Sequence, residues 1–205
     1  MSRNKISKLL KKSRNRIRLK KIATNEYIDR HENLIIVGAT GSGKSYIACA
    51  LDVEACNATL KVMYVRLPDL LAELDLAKVQ GNYRKRIYQY INCDLLILDE
   101  WLLIGTNNAV QQDILEILEK RYRIHSTVFC SQFDVAGWHS KLSGGALADA
   151  IMNRIISKSQ TIKRFLVRSQ READKRNNPE CTLFKVSIFR WLGSSEWLVN
   201  PVGIL

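Results

Sequence analysis

No run of about 18 apolar residues occurs in the chain, so no membrane-spanning helix is expected. The beginning of the chain is basic, but no apolar segment follows it, which argues against a secretory leader. CxxC pairs are also missing. The five cysteines, Cys49, Cys56, Cys93, Cys130 and Cys181, are odd in number and widely spaced. That pattern argues against a disulfide framework, a zinc site or a redox motif, and predicts reduced, mostly buried thiols in a cytoplasmic protein. His31, His125 and His139 have no cysteine or carboxylate at ligand spacing, so they read as ordinary core or surface residues. Internal repeats and low-complexity linkers are lacking too.

What is there suits one domain with a sizeable core: 205 residues and a net charge of +12, unevenly placed. Residues 1–30 carry 11 Lys or Arg against 2 acids, residues 31–153 carry 11 against 14, and residues 154–176 carry 8 against 2. Two basic segments therefore flank a near-neutral middle, and such clusters attract polyanions. The run Lys11, Lys12, Arg14, Arg16, Arg18, Lys20 and Lys21 marks residues 1–21 as a basic arm suited to contact with DNA or RNA.

Along the middle, strand and helix patterns alternate. Asn33–Val37, Lys61–Arg66, Leu95–Leu98 and Thr127–Cys130 read as strands, and Thr161–Val167 as a strand or extended turn. Lys44–Asn57, a segment opened by Pro68-Asp69, Tyr83–Ile91, Asn108–Ile124 and Ala146–Ile156 read as helices. The alternation predicts an α/β fold with a parallel sheet covered on both faces. Trp101, Trp138, Trp191 and Trp197 are expected in packing, with Trp101 close enough to the acids before it to border a site.

The strongest signal is Gly38-Ala39-Thr40-Gly41-Ser42-Gly43-Lys44-Ser45, which fits G-x-x-x-x-G-K-[ST] between one strand and one helix. The glycines let the backbone wrap closely around phosphate. Its N–H groups and the helix N-terminus then supply positive potential. Lys44 is expected at the β- and γ-phosphates and the Ser45 hydroxyl at magnesium, with Tyr46 next to them as a further nucleotide-binding candidate. These residues predict a nucleoside triphosphate with Mg2+.

Leu95–Leu98 ends in Asp99-Glu100, the arrangement of a Walker B strand. Asp99 is expected to hold magnesium through its water shell. Glu100 is expected to orient and polarise the attacking water, which favours hydrolysis over transfer to a small molecule. Gln132, just past the fourth strand, is a candidate for contact with the γ-phosphate and that water. Arg154 and Arg171 are candidates for arginines that meet the γ-phosphate, in cis or in trans.

With these residues in hand, the chain resembles the IstB-like branch of the AAA+ ATPases, relatives of the DnaC helicase loader. The resemblance runs from Ile22 to Ile28, through the P-loop and Leu95–Glu100, to Thr127–Gln132, Ala148–Arg154 and Ser169–Glu172. It implies a three-layer AAA+ P-loop NTPase at 22–176, with a small helical C-terminal lid from about 140, and leaves 177–205 as an apolar tail. It further implies a homo-oligomer that places ATP between subunits, with Arg154 completing the neighbour's site and Arg171 sensing nucleotide in its own. Magnesium-dependent ATP hydrolysis, DNA binding and the regulation of a transposase follow from the same resemblance. A helicase loader acting on a replicative helicase, a small-molecule P-loop kinase and a nucleotide-binding remnant without turnover are the alternatives. The family usually has Asn at the position of Gln132 and a helical N-terminal domain where only the short basic arm stands here.

Overall fold

Five segments form one parallel sheet in the computed structural model, which describes Ile22 and residues 24–164. The strands are β1 (Asn33–Gly38), β2 (Val62–Arg66), β3 (Leu95–Asp99), β4 (Ser126–Ser131) and β5 (Ser159–Arg164), in the spatial order β2-β3-β4-β1-β5. Every neighbouring pair is parallel, with Leu34 opposite Val128, Tyr64 opposite Ile97 and Leu98 opposite Phe129. Parallel neighbours need crossovers, and helices provide them: α1 (Glu26–Asp29) leads in, followed by α2 (Lys44–Asn57), α3 (Leu67–Val79), α4 (Tyr83–Asn92), α5 (Asn108–Arg121), α6 (Trp138–Lys141) and α7 (Gly145–Ile156). The sheet and its helices lie within the unit Met1–Leu166.

The strands are continuously apolar because each buries both faces. Leu34 and Ile36 of β1 and Leu95 and Ile97 of β3 join α1 and α2 in one cluster, with Ile28, Ile47, Ala48 and Leu51. The intervening Ile35, Val37, Leu96 and Leu98 join Leu70, Leu74, Ile87, Ile114 and Ile151 on the opposite face. A one-residue slip of a strand would exchange these sets, so two well-packed faces fix the register. Each buried Leu or Ile contributes roughly 1.5–3 kcal/mol relative to exposure.

Local rules account for the ends. Pro68 sits in the first turn of α3, where its missing N–H costs nothing, and Asp69 faces the positive end of the helix dipole. The Asn107 side chain caps α5 by accepting from the Val110 N–H at 2.9 Å. That helix stops at Arg121, three residues before the expected Ile124, because Tyr122 turns extended and Arg123 is left-handed. β2 starts at Val62 because the Lys61 N–H donates to the Asp94 carboxylate at 2.8 Å.

In the stretch from about 140, where a lid is expected to start, α7 packs against α5 and β5 extends the sheet beside β1. The α/β layers therefore run to Arg164. The remainder of the expected lid, from 165, the tail 177–205 and the basic arm 1–21 lie outside the described residues.

Candidate nucleotide-binding site

The turn from β1 into α2 wraps on itself. Gly41 and Gly43 hold φ of 74° and 81°, which favour glycine, and Gly43 is the residue from which α2 starts. The Ser42 N–H donates to the Ala39 carbonyl at 3.1 Å. The Ser42 hydroxyl is buried with no hydrogen-bond partner among the described residues. Lys44 folds back over the turn, and its Nζ donates to the carbonyls of Gly38 and Ala39 at 2.9 and 3.1 Å. Tyr46, the third residue of the helix, is 58% exposed.

Facing this turn is the tip of β3. Asp99 is buried, and its Oδ2 accepts the Ser45 hydroxyl at 2.7 Å. Tyr64 of β2 donates its hydroxyl to the same oxygen at 2.5 Å. The second oxygen, Oδ1, accepts the Glu100 N–H at 2.8 Å. Burial, followed by the hydrogen bond to Asp99, pushes the Tyr64 phenol well above the usual tyrosine range, so it stays a neutral donor. A serine hydroxyl and a carboxylate side by side form a hard-oxygen pair that suits Mg2+, which keeps most of its ligands as water and phosphate oxygen. The orphaned Ser42 hydroxyl and the Lys44 ammonium suit a polyphosphate in the turn. The donor set therefore fits Mg-ATP.

Glu100 departs from the strand in a left-handed conformation, φ 55°, and Leu102 repeats it at 54°. Such conformations cost about 1–3 kcal/mol each in non-glycine residues, and they gather at functional sites. The turn sends Glu100 toward solvent, 3.9 Å from the Arg66 guanidinium, while Trp101 dives into the core at 0% exposure. Trp101 packs edge-on against Phe129 and Trp138, so it is a core residue rather than a lining of the site. Gln132 follows β4, and its Oε1 accepts the Thr40 hydroxyl at 3.0 Å. Gln132, the P-loop, Asp99 and Glu100 are thus brought to one end of the sheet.

Arg154 is elsewhere. Its carbonyl lies 3.4 Å from the Asn33 amide, at the start of β1, while the P-loop leaves the end of that strand. Five residues of strand separate the two ends by roughly 16 Å. The guanidinium makes two bonds to the Glu119 carboxylate, at 2.8 and 3.0 Å, and lies over the Tyr122 ring. Arg171 lies outside the described residues, as do Lys11, Lys12, Arg14, Arg16, Arg18, Lys20 and Lys21. Trp191 and Trp197 and Cys181 lie there as well. Of the other cysteines, all thiols outside any disulfide among the described residues, Cys93 and Cys130 are buried, Cys49 is half-buried and Cys56 exposed.

The family described as IstB-like ATP binding protein matches residues 9–177, beginning earlier than the resemblance read from Ile22. The chain belongs to that family. A Sinorhizobium fredii protein named for ATP binding in an insertion sequence is 41% identical over 142 residues, 69% of this chain and 58% of its own length. A Pseudomonas fluorescens protein named for ATP binding in the insertion sequence IS1162 is 35% identical over 111 residues, 54% of this chain and 48% of its own. This IstB-like chain thus spans about half to three-fifths of the length of these relatives. Among solved structures, the DnaC helicase loader matches with a TM-score of 0.64 at 18% identity, covering 76% of this chain and 90% of that one. At that identity the likeness speaks for the AAA+ fold.

The IstB-like site has one member that sequence reasoning passed over. Tyr64 sits mid-strand among Val, Met and Val, where an aromatic is ordinary β-sheet packing. Only the register shows it: Arg66 pairs with Asp99, and Tyr64, two residues earlier on the same strand, points to the same face.

Proposed function

We propose that this protein binds Mg-ATP in the turn Gly38–Ser45, hydrolyses it, and in doing so regulates a transposase on DNA. The observation that carries the proposal is the pairing of Ser45 with Asp99 at 2.7 Å, beside a glutamate turned out of the strand. Family membership supports ATP as the nucleotide. The names of the relatives, which refer to insertion sequences, support transposition as the setting.

Bound Mg2+ would supply positive charge against the β- and γ-phosphate oxygens. Ser45 and Asp99 would hold it, the serine directly and the aspartate through water. Lys44 would leave the carbonyls of Gly38 and Ala39 for the phosphates. Glu100 would orient the attacking water, and Gln132 would hold that water or the γ-phosphate with its amide. Arg154 would reach the site of a neighbouring copy in a homo-oligomer, which its distance from its own P-loop favours. Arg171 would read the nucleotide in its own subunit, and the basic residues between Lys11 and Lys21 would hold duplex DNA. A cytoplasmic location belongs to the same proposal; among the described residues no helix is long and apolar enough to cross a membrane.

The test is ATP turnover by the wild type and by Glu100→Gln, each with and without duplex DNA and Mg2+. Magnesium-dependent turnover that DNA stimulates and the substitution removes is expected. Equal rates for the two proteins would overturn the catalytic assignment, and no response to DNA would overturn the DNA-linked role.

A further inference from the structure

The carboxylate of Asp99 is held at three points. Oδ1 is fixed by the N–H of the next residue, Glu100, at 2.8 Å. Oδ2 takes two hydroxyl donors at once, Ser45 at 2.7 Å and Tyr64 at 2.5 Å. The donors come from three separate pieces of chain: the end of β3, the first turn of α2 and the middle of β2. A carboxylate with both oxygens so engaged cannot rotate about its terminal bond without losing a charge-assisted hydrogen bond.

The two hydroxyls on Oδ2 differ in what they can do later. Ser45 is a metal ligand in the reading above, so its oxygen turns to the ion when nucleotide arrives. Tyr64 stays where it is. Its ring is packed with Leu60 and Val62 against the cluster of Leu34, Ile36, Ile47 and Ile97. The phenol is therefore a fixed donor on a rigid strand, and the serine an exchangeable one.

We infer that Tyr64 is a positioning residue for the metal site: its hydroxyl pins Asp99 in the orientation that faces Ser45, so that the carboxylate is aimed before the ion comes. The inference rests on the assignment of Ser45 and Asp99 as the metal pair. Outer partners of this kind set the orientation of a metal-binding carboxylate, and losing one typically costs about 10- to 100-fold in metal affinity. A phenylalanine here would keep the ring and its packing and release only the oxygen.

The experiment is a titration of a fluorescent ATP analogue with the wild type, Tyr64→Phe and Asp99→Ala, in EDTA and across a series of Mg2+ concentrations. Melting of each protein is recorded in EDTA. Tyr64→Phe is expected to raise the Mg2+ concentration at half-saturation about tenfold, the lower end of the cost of losing an outer partner. Its affinity for the nucleotide in EDTA is expected to match the wild type. Asp99→Ala is expected to shift the Mg2+ dependence further. If Asp99→Ala shifts it and Tyr64→Phe does not, the inference fails and the metal pair stands. If neither shifts it, the metal pair itself fails. If Tyr64→Phe loses affinity equally with and without metal, or no longer folds, the hydroxyl serves the fold and the inference is overturned. Whatever the melting point, the ratio of the two affinities within one variant is the deciding quantity.

Discussion

Arg154 is clasped to Glu119 by two hydrogen bonds, 2.8 and 3.0 Å, joining the last turn of α7 to α5 at the end of the sheet away from the P-loop. The pair is solvent-facing: the arginine holds the Glu119 carboxyl below its ordinary range, and the carboxylate raises the guanidinium in return. An exposed pair of this kind adds little stability. Arg154→Ala is therefore expected to shift the melting point by no more than a few degrees. Turnover is expected to fall about 10³-fold or more, the range in which a trans arginine contributes. Mixing it with Glu100→Gln, which brings an intact arginine but a dead site, is expected to restore part of the rate. A mixture no faster than its components would refute action in trans.

Glu100 holds Asp99 only through its backbone N–H, so its side chain can change with little effect on the pairing of Ser45 with Asp99. Glu100→Gln is expected to lower ATP turnover about 10²- to 10⁴-fold, the usual contribution of a positioned acid or base. Nucleotide binding in the presence of Mg2+ is expected to stay near wild type. Single-turnover hydrolysis beside equilibrium binding of a labelled nucleotide distinguishes the two effects.

Sequence patterns carried the elements and the turn of the P-loop motif. The P-loop is a local signal, complete within eight neighbouring positions, and β3 announces itself because a doubly buried strand is apolar throughout. Long-range partners are not written that way. Tyr64 meets Asp99 because β2 and β3 are neighbours in a given register, which spacing along the chain does not encode. Arg121 is the same kind of case: it sits at the end of an amphipathic helix, where an exposed base that suits the helix dipole is the ordinary expectation, and is 1% exposed instead.

Among the described residues no carboxylate forms an ion pair with Arg121, and Asp94 acts on it only through its charge. Nη1 donates to the carbonyls of Tyr90, Ile91 and Cys93 at 2.9, 3.0 and 2.7 Å, Nη2 to that of Ser126 at 2.5 Å, and Nε to the Thr127 hydroxyl at 3.0 Å. It ties the C-terminal end of α4 to the start of β4. Arg121→Ala would leave several buried carbonyls without a donor and is expected to cost about 3–5 kcal/mol. For a domain of this size that is a fall in melting temperature of roughly 10 °C. Thermal unfolding followed by circular dichroism checks it, and a loss of only a degree or two would show that water replaces the guanidinium.

His125 adds a pH dependence. Burial is the first cause that lowers its imidazole below the ordinary 6.5; the Arg121 charge and His31 act the same way, and Asp94 acts against them. Its folded-state pKa therefore lies below the unfolded one, so between the two values the unfolded chain binds the extra proton. The stability from a neutral His125 is present above about 6.5 and is lost as pH falls through the folded value. Melting temperatures at pH 7.5 and 5.5 are expected to differ less in His125→Gln than in the wild type. An equal drop in both would assign acid sensitivity to other groups.

The fold-back of Lys44 onto the carbonyls of Gly38 and Ala39 has a kinetic consequence. Without nucleotide the ammonium braces the loop that, in the proposed function, would surround the phosphates. Under the proposed function, capture of ATP would be a swap, in which anionic oxygens displace two peptide oxygens from one cation.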